Sequence, residues 1–152
     1  MLRTVIREGR SVLADEVFEA WISADLQRMV RALSLKTNSI DRHFLLMNLF
    51  QQAYRLRNAK SAMRELARRV GLQHIQEFGD LRAPLVRDLG VLPRVPTFQN
   101  LSTLLAEDGE HQQAIEVCEK AVRFGLSDGT KGDFPARIER LRKQAAHGKM
   151  VT

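Results

Sequence analysis

Residues 95–128 of this 152-residue chain read VPTFQNLSTLLAEDGEHQQAIEVCEKAVRFGLSD. In the first half of this stretch, large apolar residues recur three and four positions apart, which predicts an amphipathic helix. In the second half, Ala114 and Ala121 would let a second helix pack closely against the first. Gly109 lies between the halves and fits the turn that joins two antiparallel helices. The stretch therefore predicts a helical hairpin.

The same residues resemble one repeat of the tetratricopeptide repeat (TPR) family, which has a 34-residue pattern of large and small residues. The positions that agree with this pattern are Phe98, Leu101, Ser102, Leu105, Gly109, Ala114 and Ala121. Two positions depart from it: Cys118 stands where a bulky residue is usual, and Leu126 stands where proline often ends the repeat. The resemblance implies a protein that presents a binding surface.

Residues 39–71 predict a second helical hairpin. Apolar residues at helical spacing run over 39–56 and again over 59–70. Asn38 fits an N-terminal cap for the first of these helices, and Gly71 fits a C-terminal cap for the second. The short break between them predicts antiparallel neighbours.

This second hairpin resembles a divergent repeat of the same kind when Ala62 is aligned with Ala114. Phe50 then stands where a small residue is expected. The longer segment 38–143 also resembles a loose group of uncharacterised TPR-like proteins of bacteria and phages. Because members of that group are described mostly by their fold, the resemblance implies an architecture and little chemistry.

The rest of the chain completes a predicted single all-α domain over residues 1–152. Its other segments are an amphipathic N-terminal helix (11–35), inserted short helices (72–92) and a C-terminal capping helix (133–146). Residues 1–10 are compatible with either an extended or a helical conformation, and 147–152 predict a loose tail. The expected fold is a set of antiparallel helix hairpins in a short right-handed superhelix.

By the spacing of the family, the first helix of each hairpin would line a groove for a peptide or a partner helix. The groove residues that the resemblance implies are Asn48, Gln51 and Arg55 in the first hairpin and Gln99, Thr103 and Glu107 in the second. This set contains no pair of lysines, so a clamp for a C-terminal carboxylate is not supported. We expect a protein–protein interaction adaptor.

Two other classes of function stay open. The net charge is +6, and an arginine cluster that includes Arg57, Arg64 and Arg68 could neutralise nucleic-acid phosphates. Against this reading, aromatic residues make up only 6% of the chain and acidic residues interrupt the basic stretches. The third class is a structural subunit, in which the N-terminal helix binds a second copy or a larger assembly through an apolar face at Val17, Trp21 and Met29.

The sequence predicts no catalytic, metal or cofactor site. Its 4 histidines are scattered, without a pair at helical ligand spacing. Cys118 lies on the predicted buried stripe and lacks a basic neighbour that would lower its pKa. Residues 128–139 have the length of a calcium loop, but Asp133 replaces the glycine that such a loop needs. We expect no enzymatic activity.

A cytoplasmic location is expected, without a membrane partner. The N-terminal sequence MLRTVIREGR lacks the apolar core of a signal peptide. The apolar stretch at 44–50 is too short to span a bilayer. The single cysteine excludes an internal disulfide and fits a reducing compartment.

Overall fold

The structure is a computed structural model that describes residues 3–151, with side chains up to residue 148. The chain divides between Pro93 and Arg94 into two compact units, whereas the sequence led us to expect a single domain. Helices dominate both units, in agreement with the predicted class.

The first unit begins with an antiparallel β-hairpin made of β1 (Thr4–Arg7) and β2 (Arg10–Leu13). The helices that follow are α1 (Glu16–Ser23), α2 (Leu26–Ala32), α3 (Ser39–Arg55) and α4 (Ser61–Leu89). α3 and α4 pack against each other, and α1 and α2 pack against α3. The core of this unit therefore lies along α3.

The single N-terminal helix predicted for residues 11–35 is wrong. The first part of this segment is the strand β2, and the remainder forms two short helices that are separated at Ala24. Ala24 has a φ of 58°, a left-handed conformation that ends α1. Asp15 and Asp25 each accept a hydrogen bond from a backbone N–H three residues further on, which starts α1 and α2. Local capping therefore overrides the continuous apolar spacing.

The inserted short helices predicted for residues 72–92 are also wrong, because α4 is continuous from Ser61 to Leu89. Gly71, which we expected to end a helix, is buried inside α4. The buried residues of α4 beyond Gly71 are His74, Ile75, Phe78, Leu81 and Leu85. Their burial outweighs the cost of about 1 kcal/mol for each glycine inside a helix.

The alignment of Ala62 with Ala114 is wrong as well, since Ala62 is exposed and Ala114 is buried. The first helix of that hairpin agrees with the prediction: α3 starts directly after Asn38, whose side chain accepts a hydrogen bond from the backbone N–H of Asp41. At the C-terminal end of α4, Gly90 has a φ of 79° and caps the helix.

The second unit contains α5 (Pro96–Glu107), α6 (His111–Arg123) and α7 (Asp133–Val151). α6 packs against both of the other helices. The predicted hairpin is confirmed in α5 and α6, and Gly109 in the turn has a φ of 82°. The buried residues of the predicted pattern are Phe98, Leu101, Ser102, Leu105, Ala114, Cys118 and Ala121. α7 begins at Asp133 as predicted and continues past residue 146, through part of the expected loose tail.

Candidate functional site

An open groove of about 280 Å³ lies in the second unit, between α5 and α7. We call it the α5/α7 groove. Its lining residues are Ser102, Thr103, Ala106 and Glu107 from α5, and Arg137, Arg140, Leu141 and Gln144 from α7. Because α6 packs against both helices, it sets the separation of the two walls.

The α5 wall offers little hydrogen-bonding capacity except at its C-terminal end. The Ser102 and Thr103 hydroxyls both donate to the carbonyl oxygen of Gln99, at 2.7 and 3.1 Å. Such bonds inside the helix leave these hydroxyls with acceptor capacity only. Ala106 has a small side chain that leaves space in the groove, and Glu107 at the end of α5 is exposed. The α5 wall therefore has small side chains in its middle and a negatively charged side chain at one end.

The α7 wall is basic, and one of its arginines is held by a buried carboxylate. The Arg137 Nε lies 3.3 Å from Oδ2 of Asp128, whose side chain is fully buried. Burial by itself raises the pKa of Asp128, but hydrogen bonds from Thr130 and Arg137 outweigh it, so the pKa lies below its usual value. Asp128 thus stays ionised and fixes Arg137, while Arg140 is exposed.

Two of the three residues predicted for this hairpin line the groove, namely Thr103 and Glu107. Gln99 lies one turn before Thr103 on α5, and its backbone carbonyl accepts the hydrogen bonds from the hydroxyls of Ser102 and Thr103. Sequence reasoning missed the α7 wall because α7 was interpreted only as a cap. The available signal was the recurrence of polar residues at 137, 140 and 144, which places them on one helix face.

The three residues predicted for the first hairpin lie on α3 in the first unit, outside the lining of the α5/α7 groove. The side-chain amide of Asn48 donates to the carbonyl of Phe44 at 2.7 Å. Gln51 is half-buried and Arg55 is exposed at the end of α3.

The arginine cluster is engaged within the chain. The Arg57 guanidinium lies 3.9 Å from the centroid of the Tyr54 ring and donates to the Tyr54 carbonyl. Arg64 donates to the side-chain oxygen of Asn58 at 3.3 Å, and Arg68 is half-buried on α4. These contacts reduce the capacity of the cluster to reach a phosphate backbone.

The apolar face proposed for assembly is covered by the chain itself. Val17 and Met29 are buried, and α1 and α2 both pack against α3. Trp21 stacks on Phe44 with ring centroids 5.0 Å apart, and its indole N–H donates to Asp41. Val17 and Met29 are therefore covered within this unit.

Three side chains of types that often act in catalysis lie in the interior, namely Cys118, His43 and His74. Cys118 is buried, and this burial raises the pKa of its thiol. His43 and His74 form a buried pair, with 3.0 Å between Nδ1 of His43 and Nε2 of His74. Burial lowers the pKa of His43 to about 4 and lowers that of His74 well below its usual value. Both imidazoles are therefore neutral near pH 7.

Among residues 3–151, no group of three or more histidine, cysteine or acidic side chains has an arrangement that could hold a metal ion. Within the same residues, no helix combines the length and apolar character that a bilayer-crossing segment needs. Comparisons of the chain with protein-family models, curated proteins and solved structures found no match.

Proposed function

We propose that this chain is a TPR-like adaptor without catalytic activity, which binds a segment of another protein in the α5/α7 groove. The observation that carries the proposal is the groove itself, which has two helical walls and contains two of the residues that the resemblance implied. The hairpin packing supports the TPR-like interpretation, since Ala114 and Ala121 are buried, as the repeat pattern requires.

The length of the groove suits a short stretch of polypeptide. The part of α5 that lines it runs from Ser102 to Glu107, so this wall is about 9 Å long at 1.5 Å per residue. That length accommodates roughly two or three residues of extended chain or one and a half turns of helix. The small Ala106 and Ser102 leave room for the partner's side chains between the walls.

The charges of the groove favour a partner segment that carries both signs. Glu107 carries a negative charge at the end of one wall, and Arg140 carries a positive charge on the opposite wall, where Arg137 is already paired with Asp128. Complementary charges along such a groove orient the partner and raise the association rate more than they raise the affinity. For a single short groove we expect a dissociation constant in roughly the micromolar range.

The test begins with selection of a random peptide-display library on the folded full-length chain. The affinity of the selected peptides is then measured by fluorescence anisotropy for two charge-reversed groove variants, Arg140→Glu and Glu107→Lys. Matched controls are Lys120→Glu and Glu116→Lys, which make like charge changes on exposed positions of α6.

We expect each groove variant to weaken binding about tenfold, as truncation or reversal of a central interface charge typically does, and each control to change it by less than about twofold. Equal losses in groove variants and controls would show non-specific electrostatic binding and overturn the proposal. Failure to select any peptide would also overturn it.

A further inference from the structure

A cleft of about 470 Å³ lies in the first unit. We call it the hairpin cleft. Its lining residues are Arg7, Glu8, Arg10, Val12, Asn38 and Arg87. Three of these are arginines, and they come from three different elements: β1, β2 and α4.

Two of the arginines are direct cross-strand neighbours. The register of the hairpin pairs Arg7 with Arg10, so their Cβ atoms lie about 5 Å apart on one face. Like charges in this position destabilise a hairpin unless something compensates them. Arg7 is compensated, since its Nε and Nη2 donate to the carboxylate of Asp41 at 3.2 and 2.8 Å.

Arg10, by contrast, is not compensated. Its exposed side chain has no hydrogen-bond or ion-pair partner among residues 3–151. The hairpin therefore holds a cationic side chain beside a second guanidinium, at the wall of a cleft, with no counter-charge of its own. An anion in the cleft would relieve this repulsion.

The third arginine and the hairpin turn are fixed to each other. Nε of Arg87 donates to Oε1 of Glu8 at 2.8 Å, and the backbone N–H of Glu8 donates to Asp88. Glu8 has a φ of 53°, a left-handed conformation that is uncommon for this residue type and that these contacts hold in place. Arg87 remains 62% exposed and has further N–H donors beyond the one given to Glu8.

We propose that the hairpin cleft binds the phosphate group of a small phosphorylated molecule, with Arg10 and Arg87 as direct donors. Guanidinium forks match phosphate oxygens in a bidentate geometry. A multiply charged phosphate gains more from Arg10 and Arg87 than a singly charged carboxylate does. The volume of the cleft is in the range of small-molecule sites, and both arginines line this one cleft.

Sodium pyrophosphate is the probe for this site, titrated into the full-length chain by isothermal calorimetry at constant ionic strength. We expect one pyrophosphate to bind per chain and Arg10→Gln to weaken it at least about fivefold, because a charge-assisted donor is lost. Arg31→Gln is the matched control, since it removes the same charge from an exposed position on α2. It should change the affinity by less than about twofold.

Glu8→Gln is the sharper variant, because it removes the carboxylate that competes with the ligand for Arg87. The proposal expects tighter pyrophosphate binding, by about threefold or more, whereas a purely structural role for Glu8 predicts no gain. The thermal midpoint of each variant, followed by circular dichroism, shows whether it is folded. If Glu8→Gln does not fold, the comparison of pyrophosphate affinity between Arg10→Gln and Arg31→Gln decides whether the proposal holds.

Three results would overturn the proposal. One is the absence of pyrophosphate binding at low ionic strength, and another is an equal loss of affinity in Arg10→Gln and Arg31→Gln. The third is binding of succinate, a dicarboxylate, as tightly as pyrophosphate, which would assign the cleft to carboxylates in general.

Discussion

The Asp41 carboxylate joins three elements of the first unit. It is almost fully buried and accepts hydrogen bonds from Arg7 on β1, Trp21 on α1 and Asn38 at the start of α3. Burial by itself raises the pKa of Asp41, but these donors outweigh it and hold the pKa below its usual value. An ionised carboxylate with several donors therefore ties the hairpin and α1 to the core helix.

Replacement of this carboxylate by an amide is expected to destabilise the first unit. Asp41→Asn leaves the partly buried Arg7 without a counter-charge, so the free energy of unfolding should fall by about 3 kcal/mol. Glu16→Gln is the matched control, because Glu16 pairs with Arg28 at the surface and should matter much less. Urea unfolding followed by circular dichroism measures both. Similar losses in the two variants would contradict this account of Asp41.

The His43–His74 pair makes a prediction about pH. Both imidazoles have lowered pKa values in the folded state, so below pH 6.5 the unfolded chain binds more protons than the folded chain does. Stability from the pair is therefore fully present above pH 6.5 and is lost as the pH falls towards about 4. The expected slope is about 1.4 kcal/mol per pH unit for each histidine.

The measurement is urea unfolding at several pH values between 6.5 and 4.5. In this range the carboxylates contribute less to the pH dependence of the free energy of unfolding. The double variant His43→Leu with His74→Leu should remove most of the slope, because leucines fill a similar volume without titrating. His147→Gln is the control, since His147 is exposed at the end of α7. A slope that persists unchanged in the double variant would show that other groups cause it.

At the scale of the elements, the sequence predicted the strongly periodic helices best. The predictions for α3, α5, α6 and the start of α7 agree with the structure, because the apolar spacing coincides with a start signal, as at Asn38, or with a turn signal, as at Gly109. The errors occurred where the two signals conflict. In α4 the buried face continues through Gly71, and between α1 and α2 the aspartate cap interrupts a face that the apolar spacing continues.

The β-hairpin was the least predictable element. Each strand has four residues, and the turn is Glu8–Gly9 instead of the Asn-Gly or Asp-Gly pair typical of such turns. An isolated two-stranded hairpin is marginal by itself. Long-range contacts stabilise it here, namely those of Arg7 with Asp41 and of Glu8 with Arg87. Contacts between residues this far apart in the chain cannot be derived from local pattern.

The turn between α5 and α6 gives a prediction for one element. Gly109 has a φ of 82°, and an added Cβ would meet no atom within 4 Å, so a substitution there is penalised by backbone conformation alone. Gly109→Ala should therefore lower stability by about 1 kcal/mol, and Gly109→Asn by less, because asparagine tolerates the left-handed region. Thermal unfolding followed by circular dichroism would show this order. An alanine variant as stable as the wild type would contradict it.

At the scale of the whole molecule, each compact unit contains one candidate site. The α5/α7 groove was half predictable: the family spacing implied Thr103 and Glu107, but the opposite wall depends on how α7 packs on α6. The hairpin cleft was not predictable, because it requires the register of a hairpin and the end of a continuous α4. Both sites are formed by residues from elements that the chain brings together only on folding.

The central claim is that the α5/α7 groove binds a protein segment. Hydrogen–deuterium exchange of the full-length chain, with and without a selected peptide, tests it most directly. The account predicts slower exchange in α5 and α7, within residues 96–107 and 133–146, and unchanged exchange in α3. Protection confined to the first unit, or protection that is the same in the Arg140→Glu variant, would contradict the account.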